Sequence, residues 1–302
     1  MTASATFARL AAEIEALRVS RSALPPGASA ARESEALAFE EIYASCRMAG
    51  AALDATELTE LLGSGLAVGG RPFEHYALAK AYADAARVVQ RAEPASRSGR
   101  LARVEEIVEL HALATRFEPE AHPGSWRVTT AGALRSGIVP PPFWLVPREI
   151  AAFVERVRLG PGFGVSDVFF VAQAHERFAR IHPFAKGNGR IARLIACLLL
   201  RRLGLPPLII PPAERARYRA ALRRADSSDP WPLATLFARS VHAGLVRLTA
   251  RPDDPDALRP LSAFGTDRAA LYKAAQRDRL RTIRRGRALF TTEAWVAAWR
   301  RR

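Results

Sequence analysis

His182, a glycine-bracketed loop and two arginines fall in one short segment, His182-Pro183-Phe184-Ala185-Lys186-Gly187-Asn188-Gly189-Arg190-Ile191-Ala192-Arg193. An apolar run from Leu194 to Leu200 follows at once, so the loop opens a buried helix. Glycines let backbone N–H groups converge and a helix start favours negative charge, which together make a phosphate site. Arg190 and Arg193 lie on one face of the first turn and can hold the same polyphosphate. His182, just ahead of the loop, is placed to take a proton from an attacking hydroxyl. The combination reads as a nucleotide-transfer site, whereas an isolated Gly-Asn-Gly-Arg would be only a basic loop capping a helix.

The segment resembles the signature of the Fic/Doc (Fido) family, His-x-Phe-x-Asp/Glu-Gly-Asn-Gly-Arg-x-x-Arg, at every fixed position except one: Lys186 stands at the acidic position. The resemblance runs from about Leu101 to Leu248. It implies transfer of AMP from ATP to a Ser, Thr or Tyr hydroxyl of a target protein. By the same resemblance His182 is the general base and Phe184 anchors the loop. Gly187, Asn188 and Gly189 then form the anion hole, and Arg190 and Arg193 hold phosphates.

Two departures from the family pattern stand out. The acidic residue normally helps hold magnesium, and a protonated lysine offers donors only. Lys186 either contacts phosphate in the metal's place or leaves ATP misaligned, so metal use is open and no metal ligand is assigned. Ser45-Cys46-Arg47-Met48-Ala49-Gly50 keeps the frame of the family's inhibitory helix, Ser/Thr-x-x-x-Glu-Gly/Asn. Ser45 and Gly50 match it, but Ala49 replaces the glutamate that would pair with the second motif arginine.

The elements that must position these residues are helices. Apolar residues at helical spacing mark Phe7 to Leu17, Glu33 to Met48, Glu57 to Leu62, Phe73 to Gln90 and Val104 to Phe117. Pro147 to Val157, Ser166 to Ile181, Ala213 to Arg224 and Pro232 to Leu248 follow. Trp126 to Pro147 breaks the pattern with Val128-Thr129-Thr130, two glycines and Pro140-Pro141-Pro142, the composition of a short β-hairpin and a connector. Fic proteins carry a flap there, entered through Gly-x-x-Arg (here Gly124 to Arg127), which holds a target segment by β-augmentation. His175 reads as a hydrogen-bonded structural histidine; His75, His111, His122 and His242 share no metal-ligand spacing.

The chain has 302 residues, 49% of them hydrophobic, and a net charge of +15. That is enough for two domains and a sizeable core. Cys46 and Cys197 are too few and too far apart for a disulfide framework or a zinc site. No apolar stretch is long enough to span a membrane and no secretory signal is evident, so the expected location is the cytoplasm.

Arg251-Pro252-Asp253-Asp254-Pro255 reads as a linker, which gives an N-terminal helical region over 1–100, a Fic-like core over 101–250 and a small module over 256–302. In the module, Asp256 to Phe264 and Asp267 to Arg277 read as helices, Leu280 to Phe290 as a hairpin, and Thr292 as the cap of a last helix. This stretch resembles the excisionase or MerR-like winged helix-turn-helix. Leu261 to Arg302 holds 11 Lys/Arg against 3 Asp/Glu. Such clustering is the footprint of a DNA-binding element, with Arg268, Lys273 and Arg277 near the groove and Arg284, Arg285 and Arg287 on the wing. The expected class is mostly α: a Fic-like bundle with a β-hairpin flap and a winged helix. Two functions compete, a protein adenylyltransferase and a regulator that binds duplex DNA, as a homodimer, with a degenerate Fic-like domain.

Overall fold

A computed structural model describes residues 2–22, 28–93, 102–132, 134, 138–249, 258–265, 268–277, 279–285 and 288–300, with backbone alone at 28–30, 285 and 294. Helix α8 (Asn188–Arg202) is the centre of the larger unit, and every residue from Arg190 to Leu200 is buried. A helix apolar on all sides has no stable place except inside a bundle. α7 (Asp167–Ile181), α4 (Phe73–Arg91) and α5 (Val104–Ala114) pack around it. On α4, buried Ala79, Ala83 and Ala86 lack the bulk that would hold its neighbours off.

α1 (Ala3–Ser22) enters the same core through Phe7, whose ring lies 5.7 Å from both Phe169 and Trp231. α2 (Ala28–Ala49) ends at Gly50, which takes φ 109. α3 (Ala55–Gly63) starts on a capping box, with the Asp54 carboxylate accepting from Glu57 N–H at 2.8 Å and Glu57 accepting from Asp54 N–H at 2.7 Å. α6 (Val146–Arg158), α9 (Arg215–Asp226) and α10 (Trp231–Thr249) complete this unit, which comprises Met1–Pro25 and Arg32–Leu248. No described helix is long and apolar enough to cross a membrane, and both cysteines are buried free thiols.

The expected hairpin over 126–147 is a chain reversal: none of its described residues is in a strand, and Leu134 N–H donates to Ile138 C=O at 2.7 Å across it. The strands lie in the second unit, Pro26–Ala31 with Thr249–Arg302. There β1 (Arg259–Pro260), β2 (Ile283–Arg285) and β3 (Ala288–Thr291) form an antiparallel sheet in the order β1-β3-β2, with Arg259 opposite Thr291 and Ile283 opposite Phe290. The helix expected over 256–264 is β1 and a 3-10 turn at Leu261–Ala263, among the described residues. Pro260 has no N–H to continue a helical ladder and tolerates an edge strand. α11 (Arg268–Gln276) and α12 (Glu293–Arg300) bury Leu271 and Val296 with Leu261 and Leu280. Thr292 caps α12 by accepting from Trp295 N–H at 3.1 Å.

Gly244 on α10 crosses Pro206, where an added Cβ would sit 2.8 Å from the proline ring. Alanine would gain about 1 kcal/mol of helix propensity, but forcing a methyl against a rigid ring costs about 1–3 kcal/mol. Gly244→Ala should therefore lower Tm by a few degrees in a thermal melt, and a rise would refute this close approach.

Candidate active site

α7 stops where His182 takes a left-handed conformation, φ 49 and ψ 57, with its N–H donating to Phe178 C=O at 3.2 Å. The half-buried imidazole has Nδ1 3.3 Å from Ala179 C=O. That contact makes Nδ1 the protonated nitrogen and leaves the Nε2 lone pair for a substrate. Burial lowers the pKa of His182 from 6.5, and the charge of Arg127 acts in the same direction, against the Ala179 carbonyl.

Arg127 is 4% exposed and has no carboxylate partner among the described residues. Its Nε donates to His182 C=O at 2.8 Å, and its Nη groups donate to Thr129 C=O at 3.0 Å and to Pro141 C=O. Its backbone N–H donates to Pro183 C=O at 2.9 Å. One guanidinium thus ties the end of α7 to both ends of the reversal, and desolvation lowers its pKa.

The loop is closed by Asn188. Its Oδ1 accepts from Phe184 N–H at 3.0 Å and its Nδ2 donates to Phe184 C=O at 2.8 Å. The Asn188 side chain therefore works as a clasp on the loop, and its backbone N–H stays at the start of α8. Phe184, fully buried, stacks on His111 at 3.6 Å and on Trp126 at 4.9 Å. His111 was without a pattern in sequence, yet it is central: Nδ1 accepts from Gly124 N–H at 3.0 Å, and Nε2 donates to Lys186 C=O at 3.1 Å. Burial holds its pKa down to about 4, so the ring is neutral and keeps this tautomer. Gly187, φ 83, sits where a Cβ would meet Thr115 Cγ2 at 2.9 Å.

The two motif arginines diverge. Arg190 is buried, pairs with both oxygens of Glu118, and donates to Ala114 C=O at 3.0 Å. It braces the loop and does not line the cavity beside His182. Arg193, also buried, donates from Nε to Ser45 Oγ at 2.9 Å and from Nη2 to Ser45 C=O at 3.0 Å. Its Nη1 lies near the start of α8, 3.6 Å from a Cβ placed on Gly189. Ser45 in turn donates to Glu41 Oε1 at 2.9 Å, and Tyr82 OH donates to the same oxygen. Ala49 puts no carboxylate on Arg193, and Gly50 only turns the chain out of α2.

Lys186 points elsewhere than expected, with Nζ donating to Glu120 Oε1 at 2.9 Å on the surface. Like Gly187 and Arg190, it does not line the cavity. His175 is structural: Nδ1 donates to Ala192 C=O at 3.0 Å and Nε2 accepts from Tyr218 OH at 2.7 Å.

The cavity, about 760 Å³, brings together His182, Asn188, Gly189 and Arg193 with Arg127 and Thr129 of the reversal. Its other wall lies outside the motif and had no sequence-based assignment. Arg215, Tyr218, Arg219, Leu222, Arg223 and Asp226 of α9 face it at spacings of three and four, a stripe legible in the sequence. Met48, at the end of α2, closes one side. In the second unit Arg268, Lys273, Arg277 and Arg284 are all exposed; the Arg285 side chain and Arg287 lie outside the described residues.

Asn188→Ala leaves two Phe184 backbone groups without partners in a buried loop, a loss of about 2–4 kcal/mol. Lys186→Ala removes only a solvent-screened pair. Thermal melts should show a clear drop for the first and none for the second, and equal melts would rule out the clasp.

Residues 101–200 match the model of the Fic/DOC family. The chain is 30% identical over 241 residues to the protein adenylyltransferase Fic of Drosophila willistoni, covering 76% of this chain and 45% of the relative. It thus spans under half the length of that relative. Its fold resembles Fic-1 (residues 134–508) of C. elegans, with TM-score 0.71 and 23% identity over 81% of this chain and 72% of that one. It also resembles a Fic-domain signalling protein of Bacteroides thetaiotaomicron, with TM-score 0.70 and 21% identity over 81% and 95%. The loop and the helix it opens lie within and beside the segment that matches the Fic/DOC family model.

Proposed function

We propose that this chain is a protein adenylyltransferase that moves AMP from ATP to a Ser, Thr or Tyr hydroxyl of a target protein. The observation that carries this reading is the shared cavity: His182 with a free Nε2 faces the same space as Arg193 and the start of α8. The first N–H groups of α8, on Asn188 and Gly189, precede the first intrahelical bond and can bind phosphate oxygens. In the reaction the target hydroxyl oxygen attacks the α-phosphorus of ATP and its proton passes to Nε2 of His182. The bond from that phosphorus to the bridging oxygen breaks, and pyrophosphate leaves. Arg193 steadies phosphate charge through Nη1. The reversal held by Arg127, with Thr129 and Thr130 on the cavity wall, is the surface for the target segment.

The residues at the loop do not fit magnesium. Lys186 occupies the position of a ligand and is engaged with Glu120.

With labelled ATP and a lysate, His182→Ala should cut transfer by about 10²–10⁴-fold while ATP still binds, because a general base adds little to ground-state affinity. Undiminished labelling would remove His182 from this role. The base acts only when neutral, and burial moves its pKa below 6.5. The rate should accordingly be level above that value and decline only in more acid buffer. A decline that begins above pH 7 would contradict the assignment.

A second reading concerns the C-terminal unit, where exposed Arg268, Lys273 and Arg277 share α11 and exposed Arg284 lies on the β2–β3 hairpin. A basic helix and a basic hairpin in one small unit would suit duplex DNA and, in the usual mode, a homodimer on two half-sites. Replacing Arg268, Lys273 and Arg277 by Gln should weaken gel-shift affinity and flatten its dependence on salt. Unchanged binding, or none at low salt, would reduce the unit to a packing appendage.

A further inference from the structure

A second cavity of about 520 Å³ lies behind α8, away from His182, between α2, α4, α8 and the 204–207 turn. Its volume is within the roughly 300–1,000 Å³ of small-molecule sites. Leu37, Ile42, Val89, Leu194 and Leu205 make its wall apolar. Its charged lining residues are Arg21, Arg87 and Arg201 with Glu35 and Glu41. Arg21 and Arg201 both line it and repel each other, and Arg21 forms no ion pair among the described residues. Burial, aided by that repulsion, lowers the pKa of Arg21. Arg201 spends its Nε on Ala92 C=O at 3.1 Å, and Arg87 is paired with Asp84. Exposed Glu35 and buried Glu41 also line it, and neither is ion-paired with Arg21 or Arg201 among the described residues. Two guanidinium groups with no carboxylate paired to them among the described residues, beside a largely apolar wall, call for an anion attached to a hydrocarbon body.

We infer that this cavity binds a single-chain anionic amphiphile, its tail among the leucines of α2 and α8 and its head on Arg21 and Arg201, and that binding is linked to the Arg193 site. The link is structural. Glu41 lines the cavity, and its Oε1 is fixed by Tyr82 OH and Ser45 Oγ. Ser45 holds Arg193 by two hydrogen bonds. A tail that fills the space between α2 and α8 keeps Ser45 against Arg193 and so keeps Nη1 aimed at the start of α8. This coupling rests on the ATP reading above; the binding itself does not.

Calorimetry on the full chain tests both, with octanoate, decanoate and dodecanoate below their micelle concentrations, and with dodecyl phosphate and dodecanol. One-to-one binding is expected, tightening about fourfold per added methylene (about 0.8 kcal/mol each). Of the two anionic heads, the tighter one identifies the source as carboxylate or phosphate. Arg21→Gln with Arg201→Gln should weaken either by tenfold or more. Ala38→Phe, at a half-exposed lining position, should block the cavity without loss of Tm. Dodecanol binding as tightly as the anions, no dependence on chain length, or undiminished binding to the double variant or to Ala38→Phe would overturn the site. For the coupling, saturating dodecanoate should raise ATP affinity by about fivefold or more, and Ser45→Ala should abolish that increase while dodecanoate still binds. ATP affinity unmoved by dodecanoate overturns the coupling. ATP that never binds overturns the nucleotide reading and leaves the amphiphile site standing.

Discussion

The geometry of the cavity depends on the amide of Asn188. A tight loop between two buried helices must leave backbone groups facing inward, and no water reaches Phe184 to satisfy them. Asn188 satisfies one donor and one acceptor of Phe184 from the first residue of α8. The amide thus fixes the distance between the end of α7 and the start of α8. His111 adds the lateral constraint, joining the loop to α5 and to the entry of the reversal through one neutral ring. Without these clasps, His182 and the first N–H groups of α8 would have no fixed relation to each other.

The same economy separates the two motif arginines. Arg190 meets a carboxylate, so its charge is spent inside the fold. Arg193 meets a serine, which orients it without neutralising it. Glu41, the acid behind Ser45, is pushed by burial toward its neutral form, against the hydrogen bonds from Tyr82 and Ser45 and the charge of Arg193. A buried guanidinium held by neutral partners keeps an unbalanced charge that an anion from solvent can offset. Arg127 is in the same condition beside His182. The cavity is therefore cationic by construction before any substrate enters.

Much of this was open to reading and some was not. The helices that carry the site announced themselves by periodicity, and Gly187, Phe184 and His182 by their spacing. Thr292 was recognisable as a cap. Three things were hidden for one reason: their partners are distant in the chain. His111 is an ordinary histidine on an ordinary helix until Lys186 C=O arrives from 75 residues away. Glu118 and Glu120 decide which arginine and which lysine are occupied, and no local pattern pairs them with residues 190 and 186. β1 has two residues and exists only because β3 lies beside it, so its own sequence, broken by Pro260, gave no strand signal. The arginine stripe of α9 was the opposite case, fully visible at helical spacing yet without meaning until the fold turned it toward His182.

Lys186 shows how position in a motif and position in space can differ. The loop backbone is held from below by His111, which accepts no variation in the Lys186 carbonyl but places no demand on its side chain. That side chain is half-exposed and finds Glu120 at the surface. A substitution that would be severe if residue 186 faced the cavity is tolerated by the fold because only its backbone is built in. The positive charge beside His182 comes instead from Arg127 and Arg193, which are buried and fixed, and from the exposed end of the α9 stripe. Fixed charges in a desolvated wall act more strongly than a mobile ammonium in water. The electrostatics of this site are therefore set by residues outside the loop that marks it.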